Sequence, residues 1–291
     1  MSLKSEWRRM RSDIRSAYKS EDTEEFFDRI FTKPLGYLWA RLFMRLGWTP
    51  NMVTLLSMAI GFAGGWLFYP ESFTLNLIGV LLVIWANILD STDGQLARLT
   101  GNKSTLGRIL DALSTGVWYV AIDCALCLRL MPKAIPFSGG RPWGGLIWLV
   151  VVICEFAGHQ RQCMLADYYR NIHLFFLRNK NGSELDRSRD IARARAKLPW
   201  KGARFQKLYL YFYGLYTRLQ ELSTPSFQRL FKAIEENGGE VDEAVRQDYL
   251  AQSRKYIQLT NILTFNTRAY TLFLLVLLGA PLLFFPIELF V

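Results

Sequence analysis

The sequence has little that a disulfide-stabilised or nucleic-acid-binding protein would need. Its 291 residues include four cysteines, and all four lie inside apolar stretches: Cys124, Cys127, Cys154 and Cys163. Cys124 and Cys127 form a C-x-x-C pair, which can serve redox or metal chemistry in a soluble protein. Here the pair lies in the middle of a predicted apolar helix, so we interpret both residues as small core residues. No RNA- or DNA-binding motif is present, so we expect no nucleic acid partner.

Other signals are also missing. The N-terminus is charged and lacks the apolar segment of a signal peptide, so we expect no cleavable signal. No internal repeat or low-complexity tract stands out.

The sequence is rich in apolar, aromatic and basic residues. It is 51% hydrophobic and 14% aromatic, with nine Trp, 13 Tyr and 20 Phe, and its mean hydropathy is +0.11. This composition favours a membrane protein. The formal net charge is +10, from 35 Lys and Arg against 25 Asp and Glu. In a membrane protein such an excess marks cytoplasmic loops and contact with anionic headgroups.

Apolar stretches of about 20 residues predict transmembrane helices. They cover residues 50–69, 74–96, 106–130 and 143–165, and a fifth begins near residue 268. The chain ends within this fifth stretch, so we expect a last helix hairpin that is truncated or absent. The fold class is therefore an all-α integral membrane bundle of five to six transmembrane helices.

An amphipathic segment precedes these spans. Over residues 31–46, apolar residues recur at helical spacing with Lys33, Arg41 and Arg45 among them. This pattern predicts a juxtamembrane helix in the headgroup plane. A core-facing helix of a soluble protein is the alternative.

Four regions follow from this interpretation. Residues 1–48 form an N-terminal cytoplasmic arm, helical over its charged first 30 residues, followed by the interfacial helix. Residues 49–170 hold the first four spans, 171–267 a basic cytoplasmic or interfacial insert, and 268–291 the last span.

Basic residues predict the orientation of the chain. Residues 178–207 hold ten Lys and Arg against three acids, and 205–219 interleave tyrosines with basic residues. We therefore expect the insert to stay cytoplasmic, to contact anionic membrane lipids and to include an interfacial helix. Ten Lys and Arg precede residue 47, and none lies in the 69–74 connection. The N-terminus is therefore expected to be cytoplasmic.

Three carboxylates lie at the cytoplasmic end of the second and third predicted spans. Asp90 and Asp93 are three residues apart and share one helix face. A short turn, with Gly101 and Asn102 as turn residues, then returns Asp111 to about the same level. Carboxylates near hydrocarbon are costly unless paired, hydrated or bound to metal. Oxygen ligands suit Mg²⁺ or Mn²⁺, and the absence of Cys and His from the cluster argues against zinc.

Small residues and one cation accompany the carboxylates. Gly94 and Ala97 leave a groove along the helix after Asp93, and Gly107 allows close helix approach one turn before Asp111. Arg98 can hold a phosphate or brace an aspartate. A metal, a groove and a cation together predict a diphosphate site.

The spacing of these residues resembles a family signature. D-x-x-D-G-x-x-A-R, eight residues, then G-x-x-x-D is the pattern of the CDP-alcohol phosphatidyltransferase family, and seven positions match: Asp90, Asp93, Gly94, Ala97, Arg98, Gly107 and Asp111. Thr49-Pro50-Asn51 with Thr54 is also similar to the first span of that family. The resemblance covers about residues 35–170 and the last span, and it leaves 178–256 unexplained.

The resemblance implies six transmembrane helices, a homodimer and a cavity open to the cytoplasm. Family members use a divalent metal to displace CMP from a CDP-linked lipid or alcohol with a hydroxyl acceptor. It implies that Asp90, Asp93 and Asp111 bind metal, that Gly94, Ala97 and Gly107 form the cytidine nucleotide groove, and that Arg98 supports phosphates or aspartates.

The acceptor is indicated only by charge. Arg161 and Arg170 suit a phosphorylated polyol such as inositol phosphate, as in the phosphatidylinositol phosphate synthases of this family. The same arginines also fit positive-inside anchoring, and serine, glycerol phosphate or an aminoalcohol stay open as acceptors.

The sequence departs from the family pattern at Thr115, where a fourth aspartate is expected. That aspartate is held to bind a second metal and to accept the proton of the acceptor hydroxyl. Threonine is not a useful base near neutral pH. Either the activity is impaired, or Glu155 or His159 supplies the base, or the protein binds nucleotide and metal without turnover. An ion or solute carrier is a further alternative, disfavoured because the acids cluster at one end of the spans.

Overall fold

The structure is a computed structural model that describes residue 20 and residues 22–102, 104–178 and 185–290. Within these residues it is helical without a β-strand, which agrees with the all-α prediction. The α-helices are, in chain order, α1 Lys33–Arg45, α2 Pro50–Trp66, α3 Phe73–Thr100, α4 Thr105–Leu130, α5 Leu146–Ile153, α6 Gln160–Arg178, α7 Ser188–Lys197, α8 Arg204–Ser223, α9 Pro225–Glu236, α10 Glu243–Tyr256, α11 Phe265–Leu277 and α12 Phe284–Phe290.

Short helical turns of other types complete these elements. They are π-helical at Asp28–Thr32 and Cys154–His159 and 3₁₀ at Ile257–Leu263 and Pro281–Leu283. Most of the predicted N-terminal arm, and residues 179–184 of the basic segment, lie outside the described residues. The chain divides into two compact units, residues 1–159 with 266–291 and residues 160–265.

In the first unit, α2 packs against both α3 and α4, and its glycines make this possible. A Cβ on Gly64 would lie 2.9 Å from the carbonyl oxygen of Gly79 in α3, and one on Gly61 would overlap the indole ring of Trp118 in α4. Between helices in a membrane there is no hydrophobic driving force for association, and small residues favour packing because they allow the backbones to approach closely. Trp118 is fully buried and donates its Nε1–H to the carbonyl of Ser57 at 3.1 Å.

The amphipathic helix α1 packs against the end of α3 that carries the carboxylates. Its buried residues Ala40 and Phe43 form a cluster with Leu89 and Leu96 of α3. The Gln95 side-chain amide donates to the Lys33 carbonyl at 3.0 Å, at the start of α1. One face of α1 is thus covered by protein. Leu38 and Leu42, on another face, are exposed.

Two described helices are long and apolar enough to cross a membrane, Phe73–Thr100 and Ile109–Leu130. They correspond to the second and third predicted spans. The first predicted span is the 17-residue helix α2. The fourth is divided among α5, a π-helical turn and α6, and the fifth is interrupted between α11 and α12. The count of five to six transmembrane helices stays a prediction.

Buried polar contacts hold α11 and α12 in the first unit. Glu288 of α12 forms an ion pair with Arg268 of α11, and its Oε1 lies 3.0 Å from Nδ1 of His159. A Cβ on Gly158 would lie 2.8 Å from the carbonyl oxygen of Glu288. Charged groups inside an apolar bundle are costly unless they are paired, so removal of either partner would leave an uncompensated buried charge between α11 and α12.

The second unit has an aromatic core of its own. Its buried residues come from α6, α9 and α10: Tyr168, Ile172, Phe175, Phe176, Phe231, Ile234 and Leu250. The helix α8 joins this unit through its buried residues Thr217 and Gln220, and Gln220 donates to the carbonyl of Met164 at 3.2 Å. The helix α7 packs on α8, where Ile191 faces Gly214.

Candidate metal and nucleotide site

The site lies where α3 ends and α4 begins. Gly101 ends α3 with a φ of 70°, a left-handed conformation that glycine adopts without strain. Ser104 then caps α4, since its hydroxyl accepts from the Gly107 amide at 2.9 Å. This short turn places the first two turns of α4 beside the last turns of α3. The turn residues predicted from the sequence, Gly101 and Asn102, are found there.

The turn brings the three predicted carboxylates together. One carboxylate oxygen from each of Asp90, Asp93 and Asp111 lies within 4.8 Å of the other two. Asp93 is buried, with 4% of its surface exposed, whereas Asp90 is half-buried and Asp111 is exposed. Three negative groups at this separation repel one another unless a cation lies between them. The oxygen-only donor set fits Mg²⁺ or Mn²⁺.

Two hydroxyl groups hold the inner carboxylates, and the sequence pattern did not assign them this role. The Thr54 hydroxyl, from the first turns of α2, donates to Oδ2 of Asp93. The Ser114 hydroxyl donates to Oδ1 of Asp90 and lies 2.8 Å from the carbonyl oxygen of Asp111. Ser114 lies three residues after Asp111, so helical spacing alone places it near the cluster. For Thr54 only the packing of α2 against α3 supplies the contact.

A cavity of about 410 Å³ opens beside the carboxylates. Asp93 and Asp111 line it, and so do the predicted groove residues Gly94, Ala97 and Gly107. Polar lining also comes from residues that the sequence pattern did not single out for the site: Asn51, Asn102 and Ser104. The arrangement can accommodate a ligand with an anionic, metal-bound end and a polar end.

The glycines of the site differ in what surrounds them. A Cβ on Gly94 would meet only the Arg98 guanidinium, with Nη1 at 3.8 Å. The backbone of Gly94 is therefore open to the cavity, and Arg98 lies beside it. A Cβ on Gly107 would lie 2.9 Å from Oδ1 of Asn51. Gly107 thus allows α4 to approach the start of α2 closely. Its place in the motif had suggested a close approach of α4 to α3 instead.

The remaining candidates lie in different places. Thr115 is half-buried on α4, one turn after Asp111. His159 contacts Glu288, and its ring centroid lies 4.5 Å from that of Tyr119. Glu155 lies in the same π-helical turn as His159. Neither Glu155 nor His159 is among the residues that line the cavity.

The fold and the site define an all-helical protein with two helices able to cross a membrane and a carboxylate cluster beside a cavity. Residues 47–159 match the family model described as CDP-alcohol phosphatidyltransferase. This match confirms the resemblance drawn from the motif. The matched segment contains all of the predicted site residues.

Curated relatives support the resemblance to this family over part of the chain. A phosphatidylinositol phosphate synthase of Mycobacterium marinum is 31% identical over 120 residues, which cover 41% of this chain and 40% of the relative. That of Mycobacterium tuberculosis is 33% identical over 88 residues, 30% of this chain and 39% of the relative. An archaetidylinositol phosphate synthase of Pyrococcus horikoshii is 39% identical over 67 residues, 23% of this chain and 34% of the relative. The chain thus covers about two fifths or less of the length of these relatives. No solved structure matches the chain significantly.

Proposed function

We propose that the chain is a transferase that moves a phosphatidyl or related phospho-alcohol group from a CDP-linked donor to a hydroxyl acceptor. CDP-diacylglycerol is the donor, and CMP is released. One observation carries the proposal: the carboxylates of Asp90, Asp93 and Asp111 lie within 4.8 Å of one another beside a cavity, inside the segment that matches the family.

The same three aspartates would hold a divalent cation, Mg²⁺ or Mn²⁺. Two of them come from consecutive turns of α3, and the third comes from α4. Such an ion, when bound, neutralises phosphate charge and stabilises the charge that develops on the leaving CMP. The donor set supports this role because it consists of oxygen atoms held at a short mutual separation.

The other residues of the site position ligands and substrate. Thr54 and Ser114 donate to one oxygen of Asp93 and one of Asp90, which holds these two carboxylates in place. Gly94 and Ala97 leave the floor of the cavity free of large side chains, so a cytidine ring can lie against it. Arg98, beside Gly94, supplies positive charge for the diphosphate.

Thr115 makes this a slow transferase in our proposal. The position one turn after Asp111 is where the family carries a base, and a positioned base contributes roughly 10²–10⁴ in rate. Asp111, one turn before Thr115, is the catalytic carboxylate that the chain retains next to this position. The same substitution favours a second candidate function, a non-catalytic membrane protein that binds nucleotide and metal.

For the acceptor we propose inositol phosphate. Two of the relatives described above are named phosphatidylinositol phosphate synthases, and the third is named archaetidylinositol phosphate synthase. Arg161 and Arg170 add positive charge shortly after the matched segment. In the structure the Arg170 guanidinium donates to the Asn261 side chain.

The proposal includes the membrane arrangement and the partners. It comprises five to six transmembrane helices, with the N-terminus and the site on the cytoplasmic side, and a homodimer, as the family resemblance implies. It retains the four regions given above, 1–48, 49–170, 171–267 and 268–291. Anionic membrane lipids are the proposed partners of the basic insert.

The test is release of CMP from CDP-diacylglycerol by the purified chain in detergent. Inositol phosphate, serine and glycerol phosphate are offered separately, each with Mg²⁺ and with EDTA. We expect slow, metal-dependent release with inositol phosphate. Metal-dependent binding of CDP-diacylglycerol without any CMP release favours the non-catalytic candidate. If the chain binds no CDP-linked ligand with Mg²⁺ or Mn²⁺ present, both candidates are wrong.

A further inference from the structure

The helix α8 exposes an apolar stripe that the transferase function does not use. The stripe consists of Phe205, Leu208, Phe212, Leu215, Leu219 and Leu222, each between 46% and 86% exposed. Their separations alternate between three and four residues, so all six lie along one side of the helix. The opposite side carries Thr217 and Gln220, which are buried in the second unit.

Basic groups border this stripe. By helical spacing, Arg204 and Arg218 lie along one edge of it. The neighbouring helix α7 adds Arg195, whose guanidinium carbon lies 5.1 Å from the centroid of the Tyr211 ring. Arg195 of α7 and Arg218 of α8 both line the groove between the two helices. The one acidic residue of α8, Glu221, accepts hydrogen bonds from the backbone and the hydroxyl of Ser188.

We propose that the stripe on α8 docks the second unit onto a bilayer surface that contains anionic lipids. The apolar side chains enter the boundary between headgroups and acyl chains, and the bordering arginines contact lipid phosphates. Exposed aromatic residues support this assignment, because tyrosine and tryptophan are enriched at membrane interfaces. Trp200, just before α8, is 69% exposed, and the centroid of its ring lies 4.5 Å from Nζ of Lys207.

Charge favours a membrane over a second copy of the chain. Apolar residues separated alternately by three and four positions also occur in coiled coils. There, charged residues of opposite sign beside the apolar seam form ion pairs between the two helices. Here the charges beside the stripe are arginines. Two copies of α8 would place arginine near arginine, whereas an anionic surface complements the same arginines.

The experiment uses the full chain in lipid nanodiscs. An environment-sensitive fluorescent amino acid is encoded at Leu215, in the stripe, and in a matched variant at Gln206, which is exposed on the far side of α8. Both positions are exposed, so neither label replaces a core residue. Quenching by doxyl-labelled lipid and by aqueous iodide is measured in phosphatidylcholine discs with and without phosphatidylglycerol.

We expect lipid quenching at position 215 to exceed that at position 206 several-fold in discs with phosphatidylglycerol. The difference should fall at high salt, since screening weakens headgroup contacts, and in an Arg204→Glu, Arg218→Glu double variant. Equal access of iodide to both positions in phosphatidylglycerol discs overturns the proposal. So does lipid quenching that is unchanged by phosphatidylglycerol, salt and the double variant.

A second copy is tested by energy transfer between chains labelled at position 215. Transfer that persists in detergent and shields the label from iodide there overturns the proposal in favour of a dimer contact. This inference rests on the lipid partners in the proposed function and deepens that part of it. None of these measurements depends on CMP release, so their failure removes anionic lipids as partners of the insert and leaves the transferase proposal standing.

Discussion

Replacing Thr54 by valine should weaken divalent metal binding without unfolding the protein. The Thr54 hydroxyl donates to Oδ2 of Asp93, whose side chain is almost fully buried. Valine has nearly the same shape but no donor, so the carboxylate loses the hydrogen bond that fixes its orientation. A hydrogen bond to a charged group contributes about 1.5–3 kcal/mol. Loss of a group that orients a metal ligand typically costs roughly 10–100-fold in affinity.

The assay is titration of the purified protein with Mn²⁺, followed by electron paramagnetic resonance of the free ion. We expect the dissociation constant of Thr54→Val to rise roughly 10–100-fold. Thr54→Ser, which keeps the hydroxyl, should stay close to the parent protein. If the valine variant binds Mn²⁺ as tightly as the parent, Thr54 has no role in holding Asp93, and the proposed ion site must be reconsidered. A melting temperature measured in detergent separates loss of binding from loss of folding.

Three further predictions concern the same unit. Thr115→Asp should raise CMP release by roughly 10²–10⁴ at saturating substrate and metal, with little change in CDP-diacylglycerol affinity; an unchanged or lower rate places the base elsewhere. Ala97→Leu should fill the cavity and abolish CMP binding while Mn²⁺ binding persists, and undiminished CMP binding would remove this groove from the site. Gly61→Ala should destabilise the fold by about 1–3 kcal/mol, because the new methyl group would collide with Trp118, whereas Gly116→Ala, which meets nothing within 4 Å, serves as the control. Equal melting temperatures for these two alanine variants would contradict the described packing of α2 against α4.

The carboxylate cluster follows from the sequence because its geometry is local. Asp90 and Asp93 are three residues apart in one helix, so they lie on the same face of it. A short turn with Gly101 and Asn102 then returns the chain to the level of Asp111. Helix periodicity and turn chemistry therefore suffice to predict a carboxylate cluster. The seven motif positions lie within 22 consecutive residues, so their spacing reveals the resemblance to the family without any knowledge of which helices pack together.

The tertiary structure decided what holds and surrounds those carboxylates. Thr54 reaches Asp93 only because the glycines of α2 allow it to pack closely against α3. Gly107 approaches Asn51 rather than α3, and His159 pairs with Glu288, 129 positions later in the chain. These contacts depend on which helices become neighbours, and apolar spans carry little information on that choice because their side chains are chemically alike. The sequence alone thus determined the three clustered carboxylates, while helix packing determined the contact of Thr54 with Asp93 and the cavity beside the cluster.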